Sequence, residues 1–245
     1  MNINVKYVSI QFYSMRILIL FLSFFTLGNS VYSNDSEEEL RQVSFQSISW
    51  SMQLTDLWFN DDSGKKVDIL PLPHLRGKEN STKVYNKLYF YSDKVDSEGA
   101  PIPVGQVSFS NVTNKFLLLF MKKSDSDYTI VAIPDDYKSF PFGSVRIYNA
   151  TSFEIGYRLN EEQYALSQMK SAVHKLKNFQ NINSTAVMIA FKAPDSTWKR
   201  GYNNRWGFDF NTRTLVFVTE EIDALGNKAV IVKRIKERQK TYSSE

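Results

Sequence analysis

The fold is decided by residues 116–133, FLLLFMKKSDSDYTIVAI. Two short apolar runs, Phe116–Met121 and Tyr128–Ile133, flank the polar segment KKSDSD. Continuous apolar runs of this length, bounded by turn residues, are typical of strands that are buried on both faces. The stretch therefore predicts a hairpin of two well-buried β-strands.

The same pattern extends over the rest of the chain. Segments rich in Gly, Pro, Asn and Asp, such as NDDSGKK, DSEGAP, PDDYKSFPFG and DALGNK, are typical of tight turns and separate the runs. The remaining predicted strands are Lys83–Ser92, Ser144–Ala150, Phe153–Leu159, Thr185–Ala193, Thr214–Glu220 and Ala229–Ile235. Few helical crossovers, which parallel strands usually need, are visible between them. These observations predict a mainly β protein, an antiparallel β-sandwich, without an obvious internal repeat.

One window, residues 161–177, departs from the strand pattern. Its apolar residues fall at helical spacing and their types favour a helix, so periodicity predicts one short helix. The alternative is a pair of strands, QYALSQ and AVHKLK, that turn at 169–171. Short connections between the neighbouring strands keep that alternative open.

The N-terminus has the features of a secretory signal peptide over residues 1–33. Arg16 precedes the apolar run ILILFLSFFTLG, and Val31 and Ser33 suit cleavage before Asn34. The apolar run is shorter than the ~20 residues of a spanning helix, which favours a cleaved signal over the alternative, a retained anchor helix. No stable membrane insertion is expected after cleavage. The long segment before Met15 leaves that residue as an alternative start. We therefore expect a periplasmic or extracellular protein.

The remaining chain is expected to form one large domain. Residues 34–41 are acidic and polar and indicate a disordered leader, residues 42–236 the β-sandwich, and residues 237–245 a flexible tail. A subdivision near 135–143 is compatible with the breaker-rich segment PDDYKSFPFG, as is a long loop within a single sandwich.

Composition excludes several classes of function. The formal net charge is +4, and two of these charges, Lys6 and Arg16, lie in the predicted signal peptide, which holds no acid. The remaining chain is therefore only weakly basic, and nucleic acid is not an expected partner. The chain has no cysteine and only two histidines, His74 and His174, so neither a metal site nor a cofactor is predicted. Glycine-rich phosphate loops and the G-x-S-x-G nucleophile motif are also missing from the sequence.

The candidate ligand-binding segment is TWKRGYNNRWGFDF, residues 197–210. Exposed aromatic rings can stack on a ligand ring, and neighbouring arginines can hold phosphate or carboxylate. The predicted ligand-binding residues are Trp198, Arg200, Tyr202 and Arg205. The alternation of Trp206, Phe208 and Phe210 instead predicts the inward face of a strand.

Two features give weaker predictions. Asp135 and Asp136 are candidate acids for a hydrolase that acts on envelope glycan or peptide. The basic run KRIKER, Lys233–Arg238, could contact an anionic surface or form a charged sheet edge that prevents aggregation. Asp135 and Asp136 are adjacent in the sequence, and adjacent residues on a strand point to opposite faces. No catalytic residue is therefore assigned.

Three segments carry a resemblance to a known group. They are YTIVAIPDDYKSFPFGSVRIYNATSFEIGYRL and the closing DFNTRTLVFVTEE and KAVIVKRI. In these three segments the chain resembles small exported bacterial proteins of unknown function. The shared phrases are FP-G-x-x-R-x-x-N-x-(T/S) and R-x-LVFV, and the similarity covers Lys83–Ile235. The segments are also distantly similar to immunoglobulin-like exported modules. The resemblance implies an exported β-sandwich, with further strands near 161–177, and brings no catalytic residues.

Together these observations favour a non-catalytic envelope module that binds a protein partner or a polysaccharide. The alternative is the hydrolase with Asp135 and Asp136. An enzyme requires titratable groups that converge in a cleft, whereas a binding module requires only an exposed aromatic and polar patch.

Overall fold

The computed structural model describes residues 40–125, 127–175, 184–193, 196–222 and 228–239. All regular structure in these ranges is β-strand, which confirms the mainly β fold. The strands are β1 (Arg41–Ser49), β2 (Leu57–Asn60), β3 (Lys66–Ile69), β4 (Asn80–Val84), β5 (Lys87–Val95), β6 (Pro101–Ser108), β7 (Lys115–Lys122), β8 (Tyr128–Pro134), β9 (Ser144–Asn149), β10 (Ile155–Leu159), β11 (Glu162–Leu166), β12 (Ser171–Lys175), β13 (Ser184–Lys192), β14 (Trp198–Gly207), β15 (Thr212–Ile222) and β16 (Lys228–Arg238).

The strands form four four-stranded sheets that repeat one topology twice. In the N-terminal half, an inner sheet has the order β4-β1-β7-β8 and an outer sheet has the order β3-β2-β5-β6. In the C-terminal half, the inner sheet is β12-β9-β15-β16 and the outer sheet is β11-β10-β13-β14. Adding eight to each strand number converts the first half into the second. The chain is therefore an internal duplication of an eight-stranded sandwich.

Each inner sheet contains one parallel pair, so the sheets are mixed rather than purely antiparallel. Strand β1 runs parallel to β7, and β9 runs parallel to β15. Parallel neighbours need a long connection between them. Here the connection is supplied by strands of the facing outer sheet, so no helix is required.

Three apolar clusters separate the four sheets. The first fills the N-terminal sandwich and includes Phe116, Leu118 and Phe120, whereas Leu117 and Leu119 point the other way, into a cluster between the two inner sheets. The other members of that middle cluster are Ile48, Ile133, Phe140, Tyr148, Leu215, Phe217 and Ile235. A third cluster fills the C-terminal sandwich. Because β7 is buried on both faces, its sequence is a continuous apolar run.

The predicted helix at 161–177 is wrong within the part of that window that the structure describes. Strand β11 belongs to the outer sheet and β12 to the inner sheet, so the chain crosses between sheets where helical spacing is read. Met169 turns the chain with a φ of 57°. Its N–H donates to the carbonyl of Asn149 (2.8 Å), and the N–H of Asn149 donates to Lys170 O (2.9 Å). Tertiary pairing has overridden local propensity.

The strand ends differ from the sequence boundaries at both termini. Strand β1 begins at Arg41, which pairs with Val84, and β16 extends through Glu237 to Arg238. The predicted signal peptide lies outside the described residues. Among the residues that are described, no helix is long and apolar enough to cross a membrane.

The alternating aromatic residues near the start of β15 divide between the core and the surface. Trp206 is 0% exposed, as the alternation predicts, and Phe208 packs partly against the same cluster. Phe210 is 54% exposed, so its inward placement is wrong. Strand β14 ends at Gly207, and the backbone beyond it no longer follows strand alternation.

Candidate binding face

The outer sheet of the C-terminal half carries an open cleft of about 380 Å³, here called the Trp198 cleft. Its lining residues are Gly156, Tyr157, Arg158, Gln163, Tyr164, Ala165, Met188, Ala190 and Trp198. They come from all four strands of this sheet, β10, β11, β13 and β14. A cleft with apolar walls and a few polar groups is the usual form of a ligand site.

Small residues make the floor of the Trp198 cleft. Gly156 lies opposite Ala165 on β11 and opposite Ala190 on β13, so three small residues are adjacent on one face. A Cβ placed on Gly156 would lie 3.1 Å from Cζ3 of Trp198. Glycine therefore lets the six-membered ring of Trp198 lie directly against the sheet.

Trp198 itself remains available to solvent. Its side chain is 50% exposed although its ring contacts Gly156. Large aromatic residues are usually buried because they contribute much apolar area, and Tyr or Trp that stay exposed are enriched at binding surfaces. Trp198 thus offers an anchored ring with accessible surface beside the open floor.

Arg158 forms the polar end of the Trp198 cleft. It lies opposite Gln163 and Met188, two residues along β10 from Gly156 and on the same face. Its Nε atom is buried and has no hydrogen-bond partner. A buried donor without a partner is costly.

The four residues predicted from the sequence divide between two faces of the sheet. Trp198, Arg200 and Arg205 are exposed, and Arg200 lies opposite Ala190 of the cleft floor. Tyr202 instead lies opposite the buried Ile189, and its hydroxyl accepts a hydrogen bond from Nε1 of Trp206 (2.9 Å).

A β-bulge explains why Tyr202 turns inward. The register shifts between Ile189 and Ala190, which leaves Gly201 as the extra residue on β14. Two strand residues separated by one position normally share a face, and an inserted residue reverses that relation. A Cβ on Gly201 would lie 2.7 Å from Cβ of Val230, so the bulge requires glycine.

The sequence does not identify Gly156, Arg158, Gln163 or Tyr164 as site residues. The helical interpretation of residues 161–177 hides β11, which supplies one side of the cleft. Adjacent small residues on β10, β11 and β13 become a signal only when the strand pairing is known.

The corresponding outer sheet of the N-terminal half is closed at this place. Trp58 on β2 stacks on Tyr91 of β5, with ring centroids 4.6 Å apart, and Lys66 lies over the Trp58 ring at 5.1 Å. Only 8% of Trp58 is exposed as a result. The open floor is therefore particular to the C-terminal half and is not a general property of the duplicated fold.

Asp135 and Asp136 do not form a catalytic pair. Asp135 is 2% exposed and bonds to Arg76 and Arg213, so it is a structural anion. Burial alone would raise the pKa of Asp136, but hydrogen bonds from the Ser139 hydroxyl and N–H, the Thr113 hydroxyl and the Lys138 N–H lower it to about 2. A carboxyl of that kind has no proton to supply near neutral pH.

The linker between the halves is held by buried arginines. Arg146 donates to the carbonyls of Pro134 and Ser139, and Arg213 donates to those of Asp135 (3.1 Å) and Phe140 (3.2 Å). Burial, the largest cause, lowers the pKa of Arg146 to about 10. Residues 134–140 are thus fixed to the inner sheet of the C-terminal half.

The basic run Lys233–Arg238 lies on β16, an edge strand of its sheet. Lys233 bonds to the carbonyl of Trp50 and lies over its ring at 4.8 Å, and Arg234 lies over Trp206 at 5.1 Å. Arg238 lies 4.0 Å from Asp209. This arrangement fits the charged-edge interpretation of the run.

A second polar cluster lies at the border between the two sheets of the C-terminal sandwich. Nε2 of His174 is 2.7 Å from the Tyr157 hydroxyl, and the rings of His174 and Tyr164 are 4.3 Å apart. Burial raises the pKa of Tyr157, so its hydroxyl stays protonated and can donate to neutral His174. Burial also lowers the pKa of His174, against an opposing effect of Glu162.

This burial predicts a loss of stability in mild acid. Because the pKa of His174 is lower in the folded state than the unfolded value of about 6.5, protonation favours the unfolded chain. The contribution is complete above pH 6.5 and is lost as the pH falls towards the folded value. Urea unfolding at pH 7.5 and 5.5 should show a smaller decrease in His174→Gln than in wild type. Equal decreases in the two proteins would show that His174 does not control this change.

Known proteins offer little comparison. No protein-family model matches the chain, and no curated protein matches it. The chain is similar to an NMR structure of a protein from Eubacterium rectale, at 16% identity and a TM-score of 0.26, over 41% of this chain and 94% of that one. A similarity at this level is too weak to support a conclusion about fold or function. No group of acids and histidines able to hold a metal ion occurs among the described residues.

Proposed function

We propose that this protein is an exported, non-catalytic module that binds an envelope polysaccharide through the Trp198 cleft. The observation that carries the proposal is the half-exposed Trp198 ring, held against Gly156 beside an open floor of small residues. A sugar ring has an apolar face that can stack on an indole ring, while its hydroxyls remain for polar neighbours. Gln163 and Arg158 supply such neighbours at the edge of the cleft.

A polysaccharide fits this face better than a protein partner does. The cleft is open, and of the three aromatic residues that line it, Tyr157, Tyr164 and Trp198, only Trp198 is largely exposed. Stable protein interfaces usually contain a larger apolar centre with several anchoring residues. A bound protein is therefore the second outcome of the test below.

The proposed export rests on the sequence of residues 1–33. The positively charged start, the apolar run and the small residues before Asn34 are typical of a signal peptide. Placement in the periplasm or outside the cell would bring the cleft to envelope glycans.

The test is retention of the exported protein by envelope fragments of its own host, before and after protease treatment of the fragments. We expect retention to survive protease and Trp198→Ala to weaken it at least about tenfold, because an anchoring aromatic ring is lost. Tyr85→Ala is the matched control, since Tyr85 is 61% exposed and lies in the N-terminal half. It should bind like wild type.

Two results would oppose the proposal. Retention that disappears after protease treatment would assign the face to a protein partner. Retention that is equal in wild type and Trp198→Ala would show that binding does not use the Trp198 cleft.

A further inference from the structure

The exposed face around the Trp198 cleft is strongly basic. The outward positions of its strands carry Arg158, Lys192, Arg200 and Arg205. The four strands of this sheet contain a single carboxylate, Glu162, and that group bonds to the hydroxyl of Tyr164. The outward positions of these strands therefore carry four cations and no acid, and the nearest exposed acids are Glu154 and Glu161, which directly precede β10 and β11.

Two arginines of this face differ from the ion-paired arginines Arg76 and Arg213. Arg76 and Arg213 are paired with Asp135 and Glu237. By contrast, no ion pair joins Arg158 or Arg200 to an acid within the described ranges. Unpaired cations beside a cleft attract anions and concentrate them there.

Arg158 is well placed for a group on a ring that stacks on Trp198. Gly156, which supports the Trp198 ring, precedes Arg158 by two residues, a distance of roughly 7 Å along a strand. Arg200 lies on the opposite side of the floor, across from Ala190. The ring platform thus has a guanidinium group on each of two strands.

The chemistry of guanidinium groups points to the ligand class. Arginine presents donors in a rigid planar fork that matches a carboxylate, and such paired bonds are stronger than neutral hydrogen bonds. Nε of Arg158 is a buried donor that still lacks an acceptor. Because Nε is buried, a carboxylate on a stacked sugar would meet the part of the Arg158 side chain that lines the cleft.

We infer that the Trp198 cleft selects an acidic polysaccharide, in which Trp198 stacks on a sugar ring and Arg158 and Arg200 bind sugar carboxylates. This inference rests on the proposed function, because it names the glycan class that the same cleft takes. It adds a requirement for charge that stacking on Trp198 alone would not impose.

The test uses protease-treated envelope polysaccharide of the host, before and after chemical reduction of its carboxyl groups to alcohols. We expect reduction to weaken binding of the wild type at least about tenfold. Arg158→Gln should weaken binding of the untreated polymer to a similar extent and leave binding of the reduced polymer unchanged. Trp198→Ala should weaken binding of both polymers.

The matched control is Arg238→Gln. Arg238 is an exposed arginine at the end of β16, which lies in the inner sheet. The substitution Arg238→Gln removes the same charge as Arg158→Gln without changing the cleft. If the position of the charge matters, binding should remain within about twofold of wild type. An equal loss in Arg158→Gln and Arg238→Gln would overturn the inference in favour of a general effect of net charge.

The other outcomes separate this inference from the proposed function. Equal binding of the untreated and reduced polymers, with a loss in Trp198→Ala, would overturn the requirement for carboxylate and leave the proposed function standing. No binding of either polymer would overturn the proposed function itself. Displacement by poly-glutamate as effective as by the polysaccharide would assign the face to acidic protein and overturn the inference.

Discussion

Asp135→Asn is expected to lower the free energy of unfolding by about 3–5 kcal/mol, since it removes the anion from a buried ionic cluster. Asp135 and Arg213 both have side chains that are 2% exposed, and Nη2 of Arg213 lies 3.3 Å from Oδ2 of Asp135. Arg76 reaches the same carboxylate with both terminal nitrogens. Asparagine keeps the shape of the side chain but leaves two guanidinium groups with only Glu237 as counter-charge.

Urea unfolding of the two proteins measures this effect. Asp68→Asn is the matched control, because Asp68 pairs with Lys66 at 3.7 Å on the surface, where the two side chains are 81% and 54% exposed. Surface pairs of this kind contribute about 0–1 kcal/mol. A decrease below about 1 kcal/mol for Asp135→Asn would show that solvent compensates the cluster and that it does not hold the linker.

Trp206→Ala should also destabilise the protein by about 3–5 kcal/mol, because it leaves a cavity in the C-terminal sandwich. Trp206 is 0% exposed and packs at 6.3 Å from the ring of Phe208. The substitution also removes the donor to the Tyr202 hydroxyl and the ring below Arg234. Packing and hydrogen bonding are therefore lost together.

The control for this prediction is Phe210→Ala, a substitution of an aromatic residue four positions away. Phe210 is 54% exposed, and surface substitutions usually change stability by no more than about 0.5 kcal/mol. Thermal or urea unfolding should separate the two variants clearly. If Trp206→Ala cost no more than Phe210→Ala, the burial of Trp206 in the core would be refuted.

The strands that the sequence predicts best are those with the strongest burial pattern. The hairpin of β7 and β8 is confirmed, because both strands are mostly apolar and the segment between them is polar. Burial on both faces holds for β7, whereas β8 buries only Ile130 and Ile133. Strands β11 and β12 are hidden, since each has only five residues and their apolar positions also match a helix. The spacing of apolar residues within one segment cannot show which sheet that segment joins.

The duplication is invisible in the sequence for a related reason. Equivalent strands keep the same place in the sheet and the same inward pattern, but they differ in length and in residue type. Strand β2 has four residues with Trp58 pointing out, whereas β10 has five with Gly156 and Arg158 on that face. Sheet topology depends on hydrogen bonds of the backbone, which side-chain identity determines only weakly.

Three of the four residues predicted for the candidate site lie on one face. Trp198, Arg200 and Arg205 share the outer face, but Tyr202 packs against the core because of the bulge at Gly201. A bulge is a property of the paired strands and leaves little trace in one of them. Arg146 and Arg213, the arginines of the phrases FP-G-x-x-R and R-x-LVFV, instead hold the linker.

The parallel pairing of β1 with β7 has a consequence for how the chain folds. Ser44 meets Lys115 and Ser49 meets Phe120, so this side of the first strand must wait for a partner about seventy residues later. Pairings between distant segments are slow to form and lengthen the time during which apolar surface is exposed. Each half closes its own sheets, yet Leu117 and Leu119 stay uncovered until the second half arrives. We therefore expect the N-terminal half to aggregate when it is made alone, and the complete chain to require protection from self-association while it folds.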